Sequence, residues 1–147
     1  MPYFTIQVSP IGALIDAYIG VSTARATALT AAQQPVPTAI KVRALIDTGA
    51  SITGVDPSVL TTLALQPTGN ALINTPSTGN QPCTMSTYDV GLLIPNGSHS
   101  SFVIAAFPVV QTQPIAQMGY HVLLGTDVLS QCYFTFDGRT GLFTLAY

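Results

Sequence analysis

The chain carries very little charge. Of its 147 residues only 7% are charged: six aspartates, four basic side chains (Arg25, Lys41, Arg43 and Arg139) and no glutamate at all. No basic stripe exists that could neutralise a run of phosphates, which excludes the electrostatic footprint of a nucleic-acid-binding domain. Tryptophan is missing, and the two cysteines, Cys83 and Cys132, are too few for a disulfide framework and lack metal-site spacing. Two free thiols, no metal and no cofactor are therefore expected. The histidines stand apart, His99 in a polar loop and His121 ahead of an apolar run, and read as a turn residue and a core-edge residue. No apolar stretch approaches the roughly 20 residues of a membrane-spanning helix. Residues 1–8 also lack the basic and apolar regions of an export signal, so a soluble, cytoplasmic chain without a membrane partner is expected.

What the chain does have is apolar side chains, 48% of the total, set in short runs rich in β-branched and aromatic residues and separated by Gly, Pro and Asn. Hardly any stretch holds a helical period, so a mostly β fold follows. Strands are expected at 3–8, 13–21, 40–46, 71–74, 84–94, 101–110 and 122–124, with a closing pair at 133–136 and 142–146. Turn chemistry separates them at Pro95-Asn96-Gly97, Thr78-Gly79-Asn80 and Asp137-Gly138. Two short helices are expected. One is capped by Asp56 with Pro57 at its first position, and the other runs over 126–131. The Ala/Thr/Gln-rich segment 22–38 reads as a surface loop inserted in one domain spanning 1–147, with at most a helical turn at 24–32.

One motif carries chemistry. Ala44-Leu45-Ile46-Asp47-Thr48-Gly49-Ala50-Ser51 places a carboxylate directly after an apolar strand, on a turn released by glycine. A carboxylate at such a strand end needs hydrogen bonds or an altered protonation state, because burying it unpartnered costs several kcal/mol. Further along the chain stands a second signature, Val122-Leu123-Leu124-Gly125-Thr126-Asp127-Val128-Leu129.

Together these two signatures resemble the retropepsin-like aspartic peptidases, the single-domain, retroviral-type family, over 3–147. The resemblance implies a retropepsin-like closed β-barrel or sandwich with a flap hairpin and one or two short helices, assembled as a homodimer. It implies that Asp47 is the catalytic acid and base, that Thr48 bonds across the two-fold axis, and that Gly49 lets the substrate backbone approach. Ala50 and Ser51, the flap-tip residues Thr78, Gly79 and Asn80, and Ile115, Met118, Leu123 and Leu124 would contact substrate. The terminal strands 2–8 and 142–147 would interleave with the partner's. In the viral pattern an acid stands at the Ser51 position and a basic residue at the Thr126 position; both are absent here. Asp127, within Leu-Gly-x-Asp-x-Leu, is closer to the cellular and bacterial branch and reads as a structural acid at a helix start.

The chemistry of this family needs two carboxylates sharing one proton, and Asp-Thr-Gly occurs once, so the second must come from another copy. The implied function is an aspartic endopeptidase acting on extended, mainly hydrophobic peptide or protein segments. The alternatives are a non-catalytic dimerisation or peptide-binding module on the same fold, and an unrelated structural β-sandwich.

Overall fold

The computed structural model describes residues 1–75 and 79–147. In chain order its elements are β1 (Tyr3–Gln7), β2 (Leu14–Val21), α1 (Thr23–Ala31), β3 (Ile40–Ile46), β4 (Gly54–Val55), α2 (Pro57–Thr62), β5 (Gly69–Ile73), β6 (Cys83–Asn96), β7 (His99–Gln111), β8 (Val122–Leu124), α3 (Thr126–Leu129), β9 (Tyr133–Asp137) and β10 (Leu142–Ala146). A 3-10 turn, Ala116–Met118, precedes β8.

Side-chain alternation sorts the strands. In β2, Ile15, Ala17 and Ile19 are buried while Asp16 is exposed; in β3, Val42 and Ala44 are buried while Lys41 and Arg43 are exposed. Period-two burial requires a sheet with one face turned inward. That sheet runs β2-β3-β8-β4-β7-β6, with β5 hung on β6. Pairing of β6 back onto β2, from Tyr18 opposite Leu93 to Val21 opposite Val90, closes six strands into a barrel. Closure needs a bend, and the β6–β7 register slips between Val90 and Leu92. The intervening residue is Gly91, where a Cβ would stand 3.2 Å from the Val21 carbonyl oxygen, so the bulge and the close strand approach both favour glycine. Inside lie Ala17, Ile19, Val42, Val90, Val109 and Val122, none more than 1% exposed.

A second sheet, β1-β10-β9, closes one end, and Phe143 and Leu145 of β10 reach into the same core. Here the structure corrects an expectation. The last strand already has both edges occupied within its own chain, by β1 and by β9. Interleaving it with a partner's strands would break one of those ladders. The open edges are β1 and β9, which carry exposed Tyr3, Tyr133 and Phe136.

Most other expectations differ in extent. The segment 22–38, expected as a surface loop with at most a helical turn, contains the nine-residue helix α1, capped by Ser22, whose hydroxyl accepts from the Arg25 amide. The β6–β7 hairpin is longer than the pattern indicated, pairing Asn96 with His99 across Gly97 at φ +51. Strand β4 was not anticipated, because two residues are too few to show a period. Among the described residues no helix is long and apolar enough to cross a membrane.

Candidate active site

The neighbourhood of Asp47 follows from one topological fact. Strands β3 and β4 flank β8, with β3 parallel and β4 antiparallel to it. Residues 47–53 must therefore arch over the end of β8 across two strand spacings, about 10 Å. Strand β8 ends at Leu124, so Gly125 lies directly beneath the arch. A Cβ on Gly125 would come within 2.9 Å of the Ala50 carbonyl oxygen and 2.9 Å of the Ile52 carbonyl carbon. Only glycine permits so close an approach without moving backbone.

Hydrogen bonds lock the arch at both feet and along its span. The Asp47 amide donates to the Leu124 carbonyl at 3.0 Å, extending the β3–β8 ladder by one residue. The Gly49 amide donates to Asp47 Oδ1 at 3.0 Å, and the Thr126 amide donates to the Ala50 carbonyl at 2.8 Å. At the far foot, Asp127 Oδ2 accepts from the Thr53 amide at 2.9 Å and Oδ1 accepts from the Thr53 hydroxyl at 2.7 Å. The same Thr53 Oγ1 accepts from the Gly125 amide at 3.0 Å, and Asp127 Oδ1 accepts from Val128 N at 2.9 Å. Thr53 is 0% exposed, so these bonds are satisfied internally. Asp127 is thus more than an acid at a helix start: it clasps the far end of the arch. At the neighbouring Thr126, the hydroxyl as well as the amide donates to the Ala50 carbonyl, at 3.2 Å.

On top of the arch, Thr48, Gly49 and Ser51 are exposed, while Asp47 and Ala50 are half-buried. An apolar wall stands beside it. Leu45 and Leu123 are register partners on β3 and β8, and both point away from the barrel interior that Ala44 and Leu124 occupy. They pack with Leu14, Ile115 and Tyr120 into a cluster separate from the main core. Leu45 stands two residues before Asp47, so the cluster lies at the β3 foot of the arch. Exposed Met118 and Ile11 extend the wall, the Tyr120 hydroxyl donates to Met118 Sδ at 3.7 Å, and Ile11 Cδ1 lies against Gly119.

Of the residues expected at the site, Asp47, Thr48, Gly49, Ala50 and Ser51 are brought together on the arch, and Ile115, Met118 and Leu123 line the adjoining wall. Leu124 is a correction: it is 0% exposed, pointing into the barrel, and has no surface to offer a ligand. The loop of the β5–β6 hairpin carries exposed Gly79, in the left-handed region at φ +60, and exposed Asn80. Thr78 lies outside the described residues. Sequence reasoning missed Leu14, Leu45, Thr53 and Tyr120; the Leu14 and Leu45 positions were visible only as the outward phase of two apolar strands.

Asp56 holds the wall from behind. It is 2% exposed, and as the cap of α2 its Oδ1 accepts from the Ser58 amide at 2.8 Å. Its Oδ2 accepts from the amides of Ile115 at 2.6 Å and Ala116 at 2.8 Å. Burial pushes this carboxyl up, but the hydrogen bonds from the Ser58 hydroxyl and amide and from the Ala116 and Ile115 amides outweigh it and hold the group at about 2. Burial also pushes the Cys132 thiol up, which makes it a poor nucleophile.

Among solved structures the chain is similar to the crystal structure of a retropepsin-like aspartic protease from Rickettsia conorii. The TM-score is 0.59 at 16% identity, over 99% of this chain and 90% of that one. No protein-family model matches the sequence, and no curated protein matches it. A likeness at this identity is one of fold, and the barrel, arch and terminal sheet described above are the retropepsin-like fold.

Proposed function

We propose that two copies of this chain form an aspartic endopeptidase, with Asp47 from each copy facing the other across a two-fold axis. The observation that carries this reading is the placement of Asp47 on a clasped arch that springs from β3, whose outward Leu45 belongs to an apolar wall. A carboxylate that served only to cap a turn would need neither the clasp at Thr53 nor the wall.

The chemistry follows from the pair. Two carboxylates roughly 3 Å apart share one proton over an intermediate pH range, as is known for aspartic proteases. The ionised Asp47 takes a proton from a water molecule, whose oxygen bonds to the peptide carbonyl carbon. The protonated Asp47 of the second copy gives its proton to the carbonyl oxygen. Transfer of a proton to the amide nitrogen then accompanies cleavage of the C–N bond. Thr48 braces the paired arches across the axis, Gly49 leaves room for the substrate backbone, and Ala50 and Ser51 line the path of the extended chain.

Leu45, Ile115, Met118, Tyr120 and Leu123 favour apolar side chains next to the cut. The β5–β6 hairpin acts as the flap, with Gly79 and Asn80 presenting backbone groups to a peptide bound as an added strand. The aromatic edges of β1 and β9 are the surfaces offered to the second copy. Asp127 within Leu-Gly-x-Asp-x-Leu supports kinship with the cellular and bacterial branch.

The test is digestion of a peptide library at mildly acid pH by wild type and by Asp47→Asn, with the sedimentation mass measured in parallel. Cleavage by the wild-type dimer and none by the variant is expected. Equal cleavage by both would remove the enzyme, and a dimer that binds peptides but cleaves none would establish the binding module instead.

A further inference from the structure

The most deeply buried carboxylate among the described residues is Asp56. A helix of six residues, α2, needs one cap acceptor, and a neutral Ser, Thr or Asn supplies that without burying an anion. Asp56 nevertheless stands 2% exposed, and among the described residues the one ion pair, Lys41 with Asp16, is elsewhere. Every polar atom of Asp56 is engaged. Its amide donates to the His121 carbonyl at 2.8 Å, and its own carbonyl accepts from Val59 N at 3.1 Å. One carboxylate oxygen serves α2, while the other accepts from Ile115 and Ala116. Capping explains the first oxygen and leaves the second unexplained.

The second oxygen has a different object. Ile115 and Ala116 open the 3-10 turn that carries Met118 and leads through Gly119, at φ +95, to Tyr120. This segment is pinned at its other end, where the His121 amide donates to the Arg43 carbonyl at 2.8 Å. Between those two fastenings lie the outer residues of the apolar wall. We infer that Asp56 is a positioning residue that sets the place of the Ile115–Tyr120 wall and thereby the selectivity for the substrate side chain beside the cut. The inference rests on the endopeptidase reading and deepens it. An ionised Oδ2 is an acceptor only, which suits two converging N–H donors. Hydrogen bonds that hold the group at about 2 keep it in that form throughout mildly acid conditions.

The test separates the two oxygens. Asp56→Ser keeps a hydroxyl oxygen for α2 but is too short to reach Ile115, and Ser58→Ala removes a donor on the helix side alone. Amide hydrogen exchange on both variants should show Ile115 and Ala116 losing protection in Asp56→Ser only. With peptides that differ in the size of one apolar side chain, Asp56→Ser should raise KM about tenfold and flatten the preference among them, with kcat changed less than twofold. Ser58→Ala should leave both quantities near wild type. Retained protection at Ile115 and Ala116, an unchanged KM and preference, or a fall confined to kcat would each overturn the inference. Failure of the endopeptidase reading is seen separately, as absence of Asp47-dependent cleavage by the wild type. In that event fluorescence anisotropy with the same peptides still reads the wall. Affinity about tenfold weaker for Asp56→Ser supports it, and equal affinities, or no binding to either protein, overturn it.

Discussion

Replacing Asp127 by alanine tests the clasp on which the geometry of the arch depends. The substitution removes the acceptors of three donors: the Thr53 amide, the Thr53 hydroxyl and the Val128 amide. The Val128 amide keeps a second acceptor, the Gly125 carbonyl at 3.2 Å. Thr53 is 0% exposed, so its two donors have no such recourse. Hydrogen bonds to a charged group are worth roughly 1.5–3 kcal/mol each, and partial entry of water returns some of that, so a loss of about 3 kcal/mol is expected. For a chain of this size that lowers Tm by about 6–12 °C, measured at fixed protein concentration because the proposed dimerisation would also shift Tm. Asp127→Asn keeps one acceptor oxygen but turns an amide donor toward the Thr53 N–H, and should fall between the two. The activity of Asp127→Ala, assayed well below its own Tm, should still be depressed because the far foot of the arch is released. A melting temperature within a degree or two of wild type would show that the clasp contributes nothing and would refute this account of how the arch is held.

Two further predictions concern the neighbouring residues. Gly125→Ala adds one carbon at an ordinary backbone conformation (φ −86), so any effect comes from the contacts at 2.9 Å with Ala50 and Ile52. Denaturation should show a loss of about 1–3 kcal/mol, and displacement of the arch should slow cleavage on the order of 10²-fold; a variant as fast as wild type would count against the arch as the catalytic platform. The Asp56 carboxyl, lowered from 3.8 to about 2, contributes stability that is complete above pH 4 and disappears as pH falls toward 2. Urea titrations of wild type and Asp56→Asn should therefore converge by about 2 kcal/mol between pH 5 and pH 2, and parallel profiles would sink the assignment.

Much of this was legible from one dimension. Alternating burial in β2 and β3 and the turn residues at Asn96-Gly97 wrote the barrel strands into the order of residues, because a pleated strand has a period of two wherever one face is buried. The acid of the site was visible for a similar reason: Asp47 follows an apolar strand and precedes a glycine, a local pattern that needs no knowledge of the remainder of the chain. Asp56 was visible as a helix cap, since Pro57 suits the first position of a helix and an acid before it suits the cap.

Other features depended on residues that meet only after folding. The sandwiching of β8 between β3 and β4 sends residues 47–53 over Gly125, and neither segment by itself indicates that the other lies beneath it. Thr53 and Asp127 are 74 residues apart along the chain. The second oxygen of Asp56 finds Ile115 at a separation of 59. The pairing of β10 with its own β1 and β9 leaves those two strands as the free edges of the sheet, which neither end of the chain indicates by itself. Local sequence determines which residues can form a strand, a cap or a turn, since those depend on neighbours a few positions away. Which carboxylate meets which distant amide is decided by the closure of the barrel, because that alone brings the donors within hydrogen-bonding reach.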